Sequence, residues 1–550
     1  MLTINQTPSV FEISFVYRPY IKEDVKAVPG SKWNQVKKIW TIPIVEGQKV
    51  QQLIAKYGIL QQTEQPEEYD LIPELDELQT NIPLKRSLFD FQRKGVAQGL
   101  KFKRFINGDQ PGLGKTSQAI ATVVAADAFP CLIICPSTLK VNWQKEWDIV
   151  AGMPAMILSD KTRNSWTEYY RIGYCKVFIV NYESLRKYFV ESINTPKGEK
   201  FKLNHIKFKQ NTSLFKSIVC DELHRCKDGS TKQAKFVMGI SRGKEYVIGL
   251  TGTPVVNKPK DLISQLKIIN RLNDFGGYKV FMDRYCGGNG SGAFNLKELN
   301  YKLCTSCFFQ RQKKDVLKDL PDKTRQIALC DITTRKEYED ALKDLAAYLK
   351  EYKEKSDTEI EKSLRGQVMV QIGICKNISA RGKMNEVFEY IDEVTEAEEK
   401  IVVFIHQKEI AIKLLNRYPE AVSVRGDDDI SQRNVSVEKF QNDPNVKIII
   451  CSIKAAGVGL TLTASSRVAF VELPWHPADC DQCEDRIHRI GQKNAALCTY
   501  FIGTDTIDKH IYEIIESKRE VANTITGTRD DVQREIIDKL TNSLFNTKKK

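Results

Sequence analysis

At 550 residues the chain is too long for one hydrophobic core, so roughly two to four domains are expected. Apolar residues at 41% and charged residues at 28% belong to a globular protein and exclude a disordered or collagen-like chain. The 83 basic and 70 acidic residues leave a formal charge of +13, compatible with a polyanionic partner but not sufficient to name one.

No run of about 18 apolar residues is present, so no membrane-spanning helix and no membrane partner are expected. The opening Met-Leu-Thr-Ile-Asn-Gln-Thr-Pro lacks the basic and apolar regions of a secretion signal. The 14 cysteines then read as reduced thiols. Cys304/Cys307, Cys480/Cys483 and the looser Cys131/Cys135 have no second pair at zinc-finger spacing, which argues against a zinc site.

Residues 1–62 read as a small α+β module. Phe11 to Phe15 alternates like a strand, Asp24 to Val28 forms a short helix, Lys32-Trp33 and Lys38 to Pro43 form a hairpin, and Val50 to Tyr57 closes the module as a helix. Basic and aromatic residues interleave here: Arg18, Tyr20, Lys32, Trp33, Lys37, Lys38 and Trp40. They suit either a nucleic-acid surface or a compact aromatic core. Residues 63–84 read as an acidic, polar linker.

From 85 to 260, short continuous apolar runs alternate with helical stretches: Cys131–Cys135, Val177–Val180, Ser217–Cys220 and Tyr246–Leu250. Such runs predict a parallel sheet buried on both faces. A second series of the same kind spans 396–525, with Ile401–Ile405, Val446–Ile450 and Arg467–Val471. Between them, 261–395 reads as a mostly helical, charged connector, and 526–550 as a tail.

Asp109-Gln110-Pro111-Gly112-Leu113-Gly114-Lys115-Thr116 ends as a phosphate-binding loop ends. Gly112 and Gly114 let backbone N–H groups close on a polyphosphate, Lys115 reaches the terminal phosphates, and the Thr116 hydroxyl suits Mg²⁺. The strict pattern has glycine where Asp109 stands. Asp221-Glu222 follows the apolar run Ile218–Cys220; Asp221 suits a Mg²⁺ site, and Glu222 suits activation of a water. Leu250-Thr251-Gly252-Thr253-Pro254 offers hydroxyls at another strand end. In the second series, Arg486 and Arg489 are three apart on an expected helix and share a face. They suit neutralisation of a γ-phosphate, or alternatively salt bridges to Glu484 and Asp485. ATP is then expected between the two α/β units.

These motifs, in this order, resemble those of Swi/Snf-type superfamily-two helicase-like ATPases, over about 85–525. The resemblance implies two RecA-like parallel-sheet lobes with a helical insertion between them, ATP and Mg²⁺ as cofactors, and double-stranded or branched DNA as partner. Leu88 to Gly95 resembles the adenine-recognition motif, with Gln92 as base reader. Asp109 through Thr116 is similar to Asp-Glu-Met-Gly-Leu-Gly-Lys-Thr, which accounts for the missing glycine. Asp-Glu-Leu-His stands for the commoner Asp-Glu-Ala-His, with little consequence expected for Asp221 or Glu222.

The resemblance also implies DNA contact by Ser137 and Lys140, with Trp143 and Trp147 nearby, by Asn181 in Asn-Tyr-Glu, and by Arg311 and Lys313 in the joining segment. Gln310 stands there where arginine is usual. Gly459 in Ala456–Leu462, Gln482, and Trp475 in Trp-His-Pro follow in the family's order, with Gly459 and Gln482 on the nucleotide side and Trp475 on DNA. Arg18-Pro19-Tyr20, Val28–Trp33 and Lys38–Pro43 are similar to the HARP module of annealing helicases, which implies DNA contact by Trp33, Lys38 and Trp40.

The expected activity is ATP-driven translocation on duplex DNA leading to strand annealing or fork remodelling, in replication or repair. A chromatin-type remodeller, a strand-separating DNA or RNA helicase and a non-enzymatic DNA clamp are the alternatives. A monomer is expected, in the cytoplasm of a bacterial or phage-infected cell, or in a nucleus if the source is eukaryotic.

Overall fold

The structure is a computed structural model that describes residues 2–6, 9–15, 19–34, 39–57, 74–252, 259–287, 293–354, 358–456, 460–475, 477–521 and 537. Arg18, Lys37, Lys38, Thr253, Pro254, Gly459 and His476 lie outside them. The chain divides into two compact units. One comprises Met1–Gly108, Gln118–Cys135 and Val150–Gln310; the other comprises Asp109–Ser117, Pro136–Ile149 and Arg311–Lys550.

The first unit opens with a four-stranded antiparallel sheet in the order β1-β2-β4-β3. Its strands are β1 (Leu2–Gln6), β2 (Val10–Phe15), β3 (Lys32–Asn34) and β4 (Ile39–Pro43). Helices α1 (Pro19–Lys26) and α2 (Gly47–Tyr57) pack on it. Leu2, Ile13, Ile21, Val25, Val28, Ile42, Val50 and Leu53 form its buried core, with Trp40 packed partly against it. Trp33 pairs with Trp40 across β3–β4 at a ring separation of 5.6 Å and stays 49% exposed. This small core therefore closes without burying Trp33.

After α3 (Asp90–Phe102) and β5 (Arg104–Asn107), the chain enters the first large sheet. Helix α4 spans Lys115–Ala125 and is followed by β6 (Cys131–Cys135), β7 (Ala155–Ile157) and β8 (Val177–Asn181). A hairpin of β9 (Val190–Ile193) and β10 (Ile206–Phe208) intervenes before β11 (Ser217–Asp221), β12 (Tyr246–Leu250) and β13 (Phe308–Phe309). The seven strands run parallel in the order β13-β5-β12-β11-β6-β8-β7. Every residue of β6 and β12 is buried, as a sheet covered on both faces requires.

At the centre of this sheet a methyl group added to Gly249 would collide with the Leu223 side chain, which is fully buried just after β11. The leucine of Asp-Glu-Leu-His thus fills the space that a side chain on β12 would take. Gly249→Ala should cost about 1–3 kcal/mol through overpacking and push Leu223, and Glu222 beside it, out of register. The urea midpoint should fall; an unchanged midpoint would show that Leu223 has room to move.

The second unit carries a six-stranded, all-parallel sheet in the order β14-β19-β18-β15-β17-β16. Its strands are β14 (Lys323–Cys330), β15 (Ile401–Ile405), β16 (Val422–Val424), β17 (Ile448–Ser452), β18 (Arg467–Phe470) and β19 (Ala496–Gly503). The connector is thus not helical throughout, since it supplies β13 and β14 to the sheets. Its long helices, Arg335–Glu354 and Thr358–Gly382, contribute Leu345, Leu349, Val368, Ile372 and Ile378 to the same core as Val402, Phe404 and Phe470.

The 14 cysteines are free thiols, buried except for half-buried Cys304. Burial pushes the Cys131 thiol up to about 12, away from thiolate chemistry. No described helix is long and apolar enough to cross a membrane.

Candidate nucleotide and nucleic-acid sites

The phosphate-loop residues and the arginine-bearing segment fall in the same compact unit. Gly112 and Gly114 adopt φ of +91° and +73°, the left-handed backbone that turns successive N–H groups inward. Lys115 begins α4, and its ammonium donates to the Asp109 carbonyl at 2.6 Å. Thr116 stands half-buried in the first turn of that helix. Left-handed glycines before a helix N-terminus fit a polyphosphate, and the Thr116 hydroxyl is a hard oxygen donor suited to Mg²⁺.

Asp109 stands where glycine was expected, and the structure gives it a partner. Its carboxylate, fully buried, accepts from Arg311 through the Arg311 backbone N–H, Nε at 3.0 Å and Nη2. Arg311 is therefore ion-paired behind the loop, and its side chain is only 11% exposed. Lys313 is likewise withdrawn: its ammonium donates to Asp485 Oδ1 at 2.5 Å and to the His488 carbonyl at 2.6 Å. The resemblance implied DNA contact for both residues; in the structure, carboxylates some 170 to 200 positions away in sequence pair with them.

The expected helix ends at Glu484, with Arg486 following in a turn and Arg489 in a bend. The three-residue spacing still brings both side chains to one point: Arg486 Nη1 lies 3.4 Å, and Arg489 Nη1 3.3 Å, from the Leu460 carbonyl. Glu484 and Asp485 pair with Lys313, Lys323 and Arg325. Glu484 accepts two bonds of 2.7 Å from Arg325, one from Lys323 at 2.7 Å and one from Tyr500 at 2.6 Å. Burial raises the Asp485 carboxyl, but Lys313 and Lys323 outweigh it and hold the group below the usual range. A methyl group added to Gly112 would stand 2.9 Å from Arg489 Cβ and 3.3 Å from Lys313 Cε. Gln482 is half-buried on the helix Pro477–Glu484.

In the first unit, Asp221 ends β11 and Glu222 takes the left-handed conformation, φ +53°. The Glu222 N–H donates to Asp221 Oδ1 at 3.0 Å, and Glu222 Oε2 lies 3.2 Å from His224 Nδ1. The same His224 nitrogen is 3.2 Å from the Thr251 hydroxyl. The Asp221 carboxylate is, by its chemistry, a hard oxygen donor of the kind Mg²⁺ takes. Gln92 is buried, and its Oε1 accepts from the Phe89 N–H at the start of α3.

Asn181 donates to Glu183 at 2.9 Å and accepts from Ser184 at 2.8 Å. Between them Tyr182, fully buried, donates its hydroxyl to the Asp221 carbonyl at 2.7 Å. Ser137 is exposed and Lys140 half-buried at the start of the helix Lys140–Ala151, while Trp143 and Trp147 are buried.

Trp475 lines a cavity of about 370 Å³ with Lys376, His406, Gln407 and Glu472. It lies beyond the carboxyl ends of β15 and β18, where the strand order of the second sheet reverses. The Lys376 ammonium sits 3.9 Å from the Trp475 ring centroid, and burial lowers it to about 8. Sequence reasoning missed Lys323 and Arg325 at this site, and the partners that the structure gives Asp109 and Asp485. The only signal for Asp109 was its place in Asp-Gln-Pro-Gly-Leu-Gly-Lys-Thr; Lys323 and Arg325 carried none.

Two family models cover this framework: the SNF2-related domain over residues 91–379 and the helicase conserved C-terminal domain over 382–491. A Caenorhabditis elegans homolog of the SWI/SNF-related matrix-associated actin-dependent regulator of chromatin subfamily A-like protein 1 is 27% identical over 531 residues. That match covers 92% of this chain and 73% of the nematode protein. Human DNA annealing helicase and endonuclease ZRANB3 is 30% identical over 501 residues, covering 85% of this chain but only 43% of its own length. Among solved structures, the Sulfolobus solfataricus SWI2/SNF2 ATPase core in complex with dsDNA is 23% identical, with a TM-score of 0.39; the match covers 84% of this chain and 99% of that one. With one model spanning more than half of its length and the second following directly, the chain belongs to the SNF2-related family of helicase-type ATPases.

Proposed function

We propose that the chain is an ATP-dependent translocase on double-stranded DNA that anneals complementary strands or remodels forked and branched DNA. The observation that carries this reading is the placement of Arg489 against the glycine of the phosphate loop in a chain 30% identical to an annealing helicase. A loop that grips phosphates and an arginine packed on it are the two parts that nucleotide-dependent motion needs.

The chemistry follows from the residues. The loop N–H groups and Lys115 bind the phosphates of ATP. Glu222 accepts a proton from the attacking water, and Arg486 and Arg489 offset the charge that develops on the γ-phosphoryl oxygens. Thr116 and Asp221 each offer an oxygen donor suited to Mg²⁺, which would add further neutralisation when bound. Gln92 and Gln482 line the nucleotide side. Ser137, Lys140, Asn181 and Trp475 contact the DNA backbone, which makes binding sequence-independent. Exposed Trp33, with Trp40 and Lys38, directs the motor to strand junctions through base stacking.

ATP turnover compared without nucleic acid and with single-stranded DNA, blunt duplex, forked duplex and RNA tests this, for the full chain and for one lacking residues 1–62. Strongest stimulation by forked DNA, lost on truncation, is expected. Equal stimulation by blunt duplex in both proteins would leave a general duplex translocase. Preference for single strands or RNA would replace the proposal with a strand-separating helicase.

A further inference from the structure

A lysine that binds DNA phosphates presents its ammonium to water. Lys313 does the opposite. Its side chain is 9% exposed, and two acceptors of the arginine segment, the Asp485 carboxylate and the His488 carbonyl, hold its charge. Its own backbone faces the other way: the Lys313 N–H donates to Gln110 Oε1 at 2.8 Å, and the Gln110 N–H donates to the Arg311 carbonyl at 3.1 Å. With Arg311 ion-paired to Asp109, residues 311–313 grip both residues that open the phosphate loop. Lys313 at the same time grips the residues that flank Arg486 and Arg489.

Stability alone is a poor reason for this arrangement. Desolvating two charges offsets most of their attraction, and apolar side chains of the same volume hold a fold as well. In some proteins a buried pair serves instead to fix a single register, since any slip strands a charge without its partner. The register fixed here is that of Arg489 on Gly112, where Lys313 Cε is itself at 3.3 Å from a would-be methyl.

We infer that Lys313 is a positioning residue for ATP hydrolysis, locking Asp485 and His488, and through them Arg486 and Arg489, against a phosphate loop held by Arg311. Lys313 touches neither substrate nor the reacting atoms; it acts through the arginines. The inference rests on the ATPase reading of this site but not on what the motor does to DNA.

The test is ATP turnover by the full chain as a function of ATP, and of duplex DNA at several salt concentrations. The proteins are wild type, Lys313→Met, Lys313→Arg, Asp485→Asn and the Lys313→Met/Asp485→Asn double variant. Misplaced arginines should lower kcat at saturating DNA on the order of 100-fold, with the KM for ATP little changed. Lys313→Arg should recover part of the loss. The double variant should be no worse than the worse single one, because the two residues act as one unit. DNA affinity should fall with salt at the wild-type slope.

A normal kcat with a salt slope shallower by about one would make Lys313 a phosphate contact and overturn the inference. A loss that follows only the folded fraction, with normal kcat per folded molecule, would reduce the pair to a structural one. Should Lys313→Met lose its cooperative melt, Asp485→Asn and Lys313→Arg decide by the same split between kcat and KM. Wild-type turnover on duplex DNA with neither annealing nor fork remodelling would sink the proposed function and leave this inference standing. No wild-type turnover at all would sink both.

Discussion

Glu222→Gln should bind ATP normally and turn it over roughly 10²–10⁴-fold more slowly, the range spanned by loss of a general base. The amide matches the carboxylate in shape, so the left-handed turn at φ +53° and the Glu222 N–H bond to Asp221 should persist. What disappears is the oxygen that accepts a proton. His224, 3.2 Å from Glu222 Oε2, does not substitute, because its Nδ1 is shared with the Thr251 hydroxyl. Equilibrium binding of ATP together with single-turnover hydrolysis checks this. Turnover within about threefold of wild type would remove Glu222 from its assigned role.

Arg489→Ala should be still more damaging, on the order of 10³–10⁵ in kcat, as for arginines that neutralise a transferring phosphoryl group. Its Cβ packs where a methyl on Gly112 would stand, so the guanidinium starts from the edge of the phosphate loop. Arg489→Lys should recover little, since an ammonium cannot present the planar fork that spans two phosphate oxygens. Arg486 is 9% exposed, and loss of its packing in Arg486→Ala should also lower the melting temperature. Steady-state kcat and KM for ATP, with melting curves alongside, separate the two arginines. An Arg489→Ala protein with wild-type kcat would discard its role in neutralising the γ-phosphoryl charge.

What sequence showed and what it hid follow from how local each signal was. The strands β6, β8, β11, β12, β15, β17 and β18 announced themselves as short apolar runs, because a parallel sheet buried on both faces needs nothing else. Strand β14, Lys-Thr-Arg-Gln-Ile-Ala-Leu-Cys, stands at a sheet edge, and its mixed burial leaves no such run. The glycines and Lys115 of the phosphate loop were legible because their chemistry is confined to a few consecutive residues. The partners of Asp109 and Lys313 were not, since each pair joins segments far apart in sequence. DNA contact by Arg311 and Lys313 was implied by the resemblance alone, and the carboxylates that folding brings to them lie too far off in sequence to be read there.

Leu223 and Gly249 carry a consequence for how this chain can change over generations. A mutant with Leu223→Ala alone opens a hole in a fully buried core, at about 2–5 kcal/mol. Gly249→Ala alone meets a side chain already in its place. Each substitution harms the protein singly, and the two together relieve each other, the alanine on β12 entering the space the leucine leaves. The spelling Asp-Glu-Leu-His is therefore anchored by epistasis with a strand neighbour. A step to Asp-Glu-Ala-His with Gly249 kept should therefore lower stability, and Gly249→Ala alongside it should restore part of the loss.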